Sequence, residues 1–136
     1  MFRILHRGTR EDRGAAAVEF ALVLPILLLL VLGIVQFGMT FFQWLEMEHA
    51  AREGARWGSL GYTVTEIQAK VIEAAPGIEL ESGDIVVTPD VPADHQGDSV
   101  VVEVTYDTPV MPIIGSLMGE TGADMTLRAR AVHLIE

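Results

Sequence analysis

The sequence predicts an α+β protein in which one long N-terminal helix crosses a membrane and extends into a small exported domain. Three observations support this class. Residues 20–42 carry no charge. The residues that follow are rich in helix formers. Alternating apolar and polar residues further on indicate three short strands. We expect the strands to form a mainly antiparallel sheet beside a second helix.

Charge is divided unevenly along the 136 residues. Residues 1–14 hold four arginines against two acidic residues, whereas residues 15–136 hold five basic and seventeen acidic residues. A basic leader before an apolar run fits the positive-inside rule. We therefore expect a cytoplasmic N-terminus, a single span in the cytoplasmic (inner) membrane and an extracytoplasmic C-terminal domain. The acidic domain argues against nucleic-acid binding, which requires clustered Lys and Arg.

The apolar run of residues 20–42 is long enough to cross a lipid bilayer. As a helix it would extend roughly 34 Å, compared with about 30 Å of hydrocarbon. A cleaved signal peptide is the rival interpretation, but its apolar core has about 7–15 residues and ends in small residues. Residues 39–44 read MTFFQW, without a small-residue cleavage pattern. Retention in the bilayer is therefore favoured, with Phe41, Phe42 and Trp44 at the outer interface.

The junction before the apolar run combines small residues with an acid and an aromatic residue. Gly14 lacks a side chain, so a protease can approach the backbone closely there. Cleavage after it would leave Ala15 with a free α-amine, whose pKa is about 8. A Glu alone in lipid costs on the order of 2–3 kcal/mol. The amine of a neighbouring subunit would offset that cost at Glu19 and fix the vertical register. The plainer alternative is that Glu19 only marks the polar edge of the helix.

The helix is expected to continue through residues 43–61. The pairs Glu48–Arg52 and Glu53–Arg56 are spaced for ion pairs on a helix surface. Small residues recur there at intervals of four, and such a stripe lets another backbone approach closely. The helix-packing residues of this stripe are Ala50, Ala51, Gly54, Ala55 and Gly58. The stripe could pack against the protein's own sheet or against the helix of a neighbouring subunit, and the sequence leaves both alternatives open.

A second helix and three strands follow the expected helix stops at Gly58 and Gly61. Thr63 and Glu66 have the spacing of a capping box, and an apolar stripe at helical spacing runs from there to residue 75. The strand pattern occurs at residues 84–88, 99–106 and 126–135. The connection 108–122 is too apolar for a free loop. We expect it to form a short helix over the sheet or a surface for a partner.

No residue pattern indicates catalysis, a metal or a cofactor. Cysteine is absent, which excludes disulfides and thiolate metal sites, and the four histidines are far apart in the sequence. Asp90, Asp94, Asp98 and Glu103 offer the oxygen ligands that calcium prefers, but their spacing does not match the twelve-residue calcium loop. Solvated turn carboxylates are the favoured interpretation. We therefore predict that the protein is not an enzyme.

The N-terminal third resembles the TadE-like pseudopilins of the tight-adherence (Tad, or Flp) pilus system. Three segments carry the resemblance: GAAAVEFALVLP at residues 14–25, GIVQFG at 33–38 and AAREGAR at 50–56. The resemblance implies that a membrane-bound aspartyl prepilin peptidase cuts between Gly14 and Ala15. It also implies that Glu19 is the family's retained acid and Phe20 its aromatic residue. Major Flp pilins are much shorter, so this chain resembles an accessory pseudopilin.

The expected function is non-catalytic assembly of a Tad/Flp type IV pilus, which serves adhesion. The expected partners are the prepilin peptidase, other pseudopilins or the Flp pilin, the inner-membrane assembly platform and the lipid bilayer. The expected divisions are a cytoplasmic leader peptide (1–14), a transmembrane helix (15–42), a helical extension (43–61) and an exported domain (62–136). The mature chain would stay in the membrane or enter the fibre. The alternative is a signal-anchored extracytoplasmic binding module unrelated to pili.

Overall fold

The computed structural model describes residues 8–90, 92–109, 119 and 124–135. The chain divides into two compact units, Met1–Gln36 and Phe37–Glu136. The helices are α1 (Gly8–Ser59) and α2 (Val64–Ala74), and the strands are β1 (Ile85–Thr88), β2 (Ser99–Pro109) and β3 (Asp124–Leu134). Single 3₁₀ turns occupy Ser82–Asp84 and Pro92–Asp94. The α+β class and the three-stranded antiparallel sheet that the sequence predicts are confirmed.

Helix α1 ends at a turn that requires glycine. The amide of Leu60 donates to the carbonyl of Trp57 at 3.2 Å, and the amide of Gly61 donates to the carbonyl of Gly58 at 3.1 Å. Gly61 has a φ of +80°, a backbone conformation that residues with a side chain rarely adopt. This turn satisfies carbonyls that the end of the helix leaves without a partner.

Helix α2 begins with the predicted capping box. The amide of Glu66 donates to Thr63 Oγ1 at 3.4 Å, and the amide of Thr63 donates to Glu66 Oε2 at 3.0 Å. Hydrogen bonds from the side chain and the backbone of Thr63 lower the pKa of Glu66 below its usual 4.5. The apolar face of α2 places Ile67 and Val71 in the core, where both are fully buried.

The sheet has the order β1–β2–β3, and both neighbouring pairs are antiparallel. Burial alternates along the central strand as the sequence predicts. Val100, Val102 and Val104 all have no exposed surface. These side chains face the helices and form the core of the second unit. Other members of this core are Met47, Ala50, Ile67, Val71, Ile85 and Ala129.

The central strand is longer than its alternation predicts. It continues past the expected end at residue 106 to Pro109, which lies opposite Asp124 at the start of β3. Asp107, Thr108 and Pro109 are residue types typical of turns. Here Thr126 Oγ1 donates to Asp107 Oδ1 at 2.6 Å, so cross-strand bonding overrides the local preference. Most of the apolar connection 108–122, and residues 1–7 of the expected leader, lie outside the described residues.

Candidate functional site

The predicted processing and assembly residues lie on α1 within the first unit. Gly14, Ala15, Glu19 and Phe20 are all helical and all exposed. A side-chain carbon placed on Gly14 would meet no atom within 4 Å. Ala15 and Glu19, four residues apart, share one face of the helix. The Gly14–Ala15 junction and the Glu19 carboxylate are therefore open to another protein.

The apolar run after this junction is unusually exposed. Twelve large apolar side chains between Val18 and Val35 have exposed fractions of 46–71%. Covering one such side chain gains about 1.5–3 kcal/mol, so a helix of this kind requires an apolar surrounding such as lipid. Among the described residues, one helix is long and apolar enough to cross a membrane. Length and composition alone also fit a signal sequence, so the distinction depends on other features.

Aromatic side chains follow the apolar run at the start of the second unit. The rings of Phe37 and Phe41 are stacked with centroids 6.2 Å apart, and the rings of Phe41 and Trp44 with centroids 5.8 Å apart. All three side chains are exposed. Clustered aromatic rings are typical of the boundary between lipid and water. This position supports the expected outer interface near residues 41–44.

Two polar contacts join this part of α1 to the rest of the second unit. The amide of Gly77 donates to Glu46 Oε2 at 3.0 Å. The buried Thr108 donates through Oγ1 to Gln43 Oε1 at 2.9 Å. The partners are 31 and 65 residues apart in the sequence. No local pattern signals such contacts, so the sequence alone identifies neither Gln43 nor Glu46.

The structure buries every member of the small-residue stripe: Ala50, Ala51, Gly54, Ala55 and Gly58. A side-chain carbon placed on Gly54 would collide with Val71 of α2 and lie 3.2 Å from Val102 Cγ1 of β2. One placed on Gly58 would lie 2.7 Å from Val100 Cγ2. The stripe therefore packs against the helix and sheet of its own unit, which is the intramolecular alternative.

Two ion pairs on the surface of α1 involve the AREGAR segment, residues 51–56. Arg52 Nη1 lies 3.1 Å from Glu48 Oε2, and Arg56 Nη1 lies 3.5 Å from Glu53 Oε1, as the spacing predicts. The indole nitrogen of Trp57 also donates to Glu53 Oε1 at 2.8 Å. Exposed ion pairs contribute little to stability. The hydrogen bond to Glu53 orients the Trp57 ring.

Trp57 lies at the corner between α1 and α2. Its ring meets the Tyr62 ring edge-on, with centroids 4.7 Å apart, and the Lys70 ammonium lies 5.3 Å from its centroid. A hydrogen bond with Glu73 raises the pKa of Lys70 above its usual 10.5. Through these contacts with Trp57, Glu53 of α1 and Lys70 of α2 have a structural role.

The described residues offer no cluster of three or more His, Asp or Glu side chains that could hold a metal ion. The turn carboxylates Asp90, Asp94 and Asp98 are exposed. Glu103 lies on the outer face of β2, opposite Arg130 in the register.

These features define a candidate single-pass membrane protein with a small α+β domain. Within that class, the family model for TadE-like proteins matches residues 14–56. The matched segment begins at the predicted cleavage junction and ends at Arg56, the last residue of the AREGAR segment. No curated protein and no solved structure shows a significant match to the chain. The resemblance predicted from the N-terminal third is confirmed, and it indicates involvement in a Tad pilus system.

Proposed function

We propose that this chain is a pseudopilin of a Tad pilus system, anchored by residues 15–42 and processed by a prepilin peptidase between Gly14 and Ala15. The observation that carries the proposal is the TadE-like match over residues 14–56, which contains both the junction and Glu19. The exposed apolar helix supports an anchor in the membrane. The protein would act without catalysing a reaction, as a subunit that other subunits recognise.

Processing would change the chemistry of the helix start. Before cleavage, Gly14 and Ala15 are joined in an amide that carries no charge. Afterwards Ala15 carries an ammonium group on the same helix face as the Glu19 carboxylate. Both groups would then lie near the lipid boundary, where an unpaired charge is costly.

Pairing between subunits would relieve that cost. An ammonium of one subunit beside the Glu19 carboxylate of its neighbour neutralises both charges where water is scarce. Because the two groups lie at fixed positions on their helices, the pair also sets the vertical offset between subunits. Fixing register is the best-attested use of a buried polar pair. The small-residue stripe is occupied within the chain, so the exposed N-terminal part of α1 is the surface for this contact.

The residues after the anchor would form the exported part. The helical extension 43–61 and residues 62–136 share one core, since Met47 and Ala50 of α1 pack with α2 and the sheet. We therefore propose that they are exported and fold together. The proposed partners are the peptidase, other pseudopilins or the Flp pilin, and the assembly platform of the inner membrane.

The assembly role is tested by Glu19→Ala, with Glu19→Asp as the matched control. Both variants are expressed in cells that carry the pilus genes but lack the wild-type chain. We expect Glu19→Ala to reduce surface pili by about tenfold or more, the effect of losing 1.4 kcal/mol or more per contact. Glu19→Asp keeps the charge and should retain most pili. Membrane levels, followed by immunoblot, should be equal in both.

Normal piliation with Glu19→Ala would remove Glu19 from assembly. Normal piliation without the chain altogether would favour an anchored binding module unrelated to pili.

A further inference from the structure

Strand β3 lies at one edge of the sheet, and its outer side has no partner among the described residues. The sheet order places β2 on its inner side only. The edge is long, because β3 runs over Asp124–Leu134, whereas β1 at the other edge covers only Ile85–Thr88 and is followed by Pro89. An edge strand of this length presents a row of backbone donors and acceptors to which another strand can bind.

The hydrogen bonds at the end of β3 show which of its residues direct their backbone amides and carbonyls to the open edge. The amide of Ile135 donates to the carbonyl of Asp98 at 2.9 Å, and the amide of Gly97 donates to the carbonyl of Ile135 at 3.1 Å. Gly97 has a φ of +91°, so Gly97 and Asp98 form a bulge opposite Ile135. Because bonded and non-bonded pairs alternate in antiparallel strands, the odd-numbered residues of β3 bond to β2. The even-numbered residues therefore direct their amides and carbonyls to the open edge.

A groove runs beside this edge on the side of the helix. It has a volume of about 320 Å³ and lies between residues 131–133 of β3 and one face of α1. The α1 face contributes His49, Arg52, Glu53 and Arg56. A second depression borders Val132 and Leu134 on the outer face of the sheet. An added strand would therefore place alternate side chains against α1 and against the outer face.

The basic residues of the unit are concentrated in this region. Residues 37–136 hold sixteen acidic and only five basic residues. Four of the five basic residues lie along the open edge or its groove: Arg52, Arg56, Arg128 and Arg130. Arg52 and Arg56 pair with Glu48 and Glu53 on α1. Arg128 and Arg130 are exposed and make no salt bridge with any residue that the structure describes, although Glu103 lies opposite Arg130 in the register.

We propose that β3 binds an extended acidic segment of another protein, which adds to the sheet as a fourth strand. On the outer face of the sheet, the side chains of the segment would be acidic beside Arg128 and Arg130 and apolar beside Val132 and Leu134. Those that face inward would be polar, because Arg52 and Arg56 at the groove already pair with Glu48 and Glu53. Strand addition at an exposed sheet edge takes its affinity from the main chain and its specificity from alternate side chains.

A second copy of this chain fits the edge less well. An antiparallel pair of β3 strands centred on Arg130 would set Arg130 against Arg130, and like charges directly opposite are destabilising. The strongly acidic units would also repel each other, and the repulsion acts over about 10 Å at ordinary ionic strength. An acidic segment of a different protein avoids the contact between the two arginines. The inference does not depend on the pilus assignment, because the edge and its charge are properties of the second unit.

The test uses the full chain in nanodiscs of phosphatidylcholine, which carries no net charge. The probe is a fluorescein-labelled heptapeptide, Glu-Thr-Glu-Thr-Val-Glu-Val, together with its reversed sequence, because either strand direction is allowed. The control peptide carries Lys in place of Glu. We expect one acidic peptide to bind at least tenfold more tightly than the Lys peptide, and its affinity to fall with added salt.

Hydrogen exchange then locates the peptide. Bound peptide should slow exchange at the amides of the outward-facing residues, Thr126, Arg128, Arg130, Val132 and Leu134. The odd-numbered amides of β3 already bond to β2 and should change little. Binding with slowed exchange only at α2 or β1 would overturn the proposal.

Two variants separate charge from backbone pairing. The double variant Arg128→Glu/Arg130→Glu should weaken binding at least tenfold, whereas Lys70→Glu on α2 removes the same type of charge elsewhere and should not. Val132→Pro removes only an amide directed to the open edge, so the fold should survive while binding is lost.

Absence of binding to either peptide up to 1 mM, or binding unaffected by the double variant, would overturn the proposal. Concentration-dependent dimers with slowed exchange at the even-numbered amides would replace the acidic partner with a second copy.

Discussion

Helix α1 carries two kinds of apolar surface, one before Phe37 and one after it. Before Phe37 the surface consists of large side chains, which are exposed on all sides. After Phe37 the buried residues are mostly small, and Ala50, Ala51 and Ala55 have at most 1% of their surface exposed. The first segment needs lipid or another protein around it. The second already has its partners within the chain.

The difference separates two roles that one helix can combine. A segment whose side chains are large and exposed gains free energy from any apolar surrounding, so it tolerates many substitutions of similar hydrophobicity. A segment of small residues against a sheet is restricted by close contact, so even one added methylene group matters. The first two predictions below test this division, and the next two test the cap of α2, in order of decreasing effect.

The largest effect is expected for Gly54→Leu. A side chain at Gly54 would collide with Val71 and contact Val102, whereas one at Gly38 meets no atom within 4 Å. We expect Gly54→Leu to prevent folding of the second unit, because overpacking costs about 3 kcal/mol or more in a domain with little stability to lose. Gly38→Leu should keep the wild-type melting temperature. Far-ultraviolet circular dichroism in detergent measures both, and a folded Gly54→Leu would contradict the packing.

A matched pair of methionines sharpens the same division. Met47 has no exposed surface and Met39 is 54% exposed, although both lie on α1. Met47→Ala should lower the free energy of unfolding by about 2–5 kcal/mol through the cavity that it leaves. Met39→Ala should change it by no more than about 0.5 kcal/mol. Urea denaturation of the two variants gives the comparison, and equal losses would show that the two segments do not differ as described.

The cap of α2 is expected to contribute less. Thr63→Ala removes the hydroxyl that accepts from the amide of Glu66, and loss of such a cap costs about 1 kcal/mol. Thr65→Ala, two residues along the same helix, serves as the control and should be neutral or slightly stabilising. If Thr63→Ala and Thr65→Ala denature at the same urea concentration, the capping box does not stabilise the unit.

The smallest effect is a pH dependence at the same cap. Hydrogen bonds from Thr63 lower the pKa of Glu66 below 4.5 in the folded state. Because the folded value lies below the unfolded one, the contribution of Glu66 is complete above about pH 4.5 and is lost as the pH falls through the folded pKa. The stability difference between wild type and Glu66→Gln should therefore shrink on acidification. A difference that stays constant between pH 7 and pH 3 would contradict this coupling.

The sequence predicts the features that depend on neighbours in the chain. The capping box at Thr63, the alternation of β2 and the stripe on α1 are all local patterns, and the structure contains each of them. The contact partner of the stripe, the Gln43–Thr108 hydrogen bond and the last residues of β2 depend on residues far apart in the sequence. A local pattern carries no signal for them, because tertiary packing decides the outcome.

The candidate site divides in the same way. Gly14, Ala15 and Glu19 form a short local pattern, so the sequence alone predicts them as processing and assembly residues. The basic edge of β3 combines residues of α1 with residues more than 70 positions later, and only the fold brings them together. No periodicity or motif in the sequence marks that edge.

The central claim is that the chain becomes a mature subunit when it is cut between Gly14 and Ala15. Intact-mass spectrometry of the protein from piliated cells tests it most directly, with Gly14→Leu and a strain lacking the prepilin peptidase for comparison. The wild-type protein should begin at Ala15, while the variant and the peptidase-deficient strain should yield only uncut chain. An uncut wild-type protein in piliated cells would contradict the account.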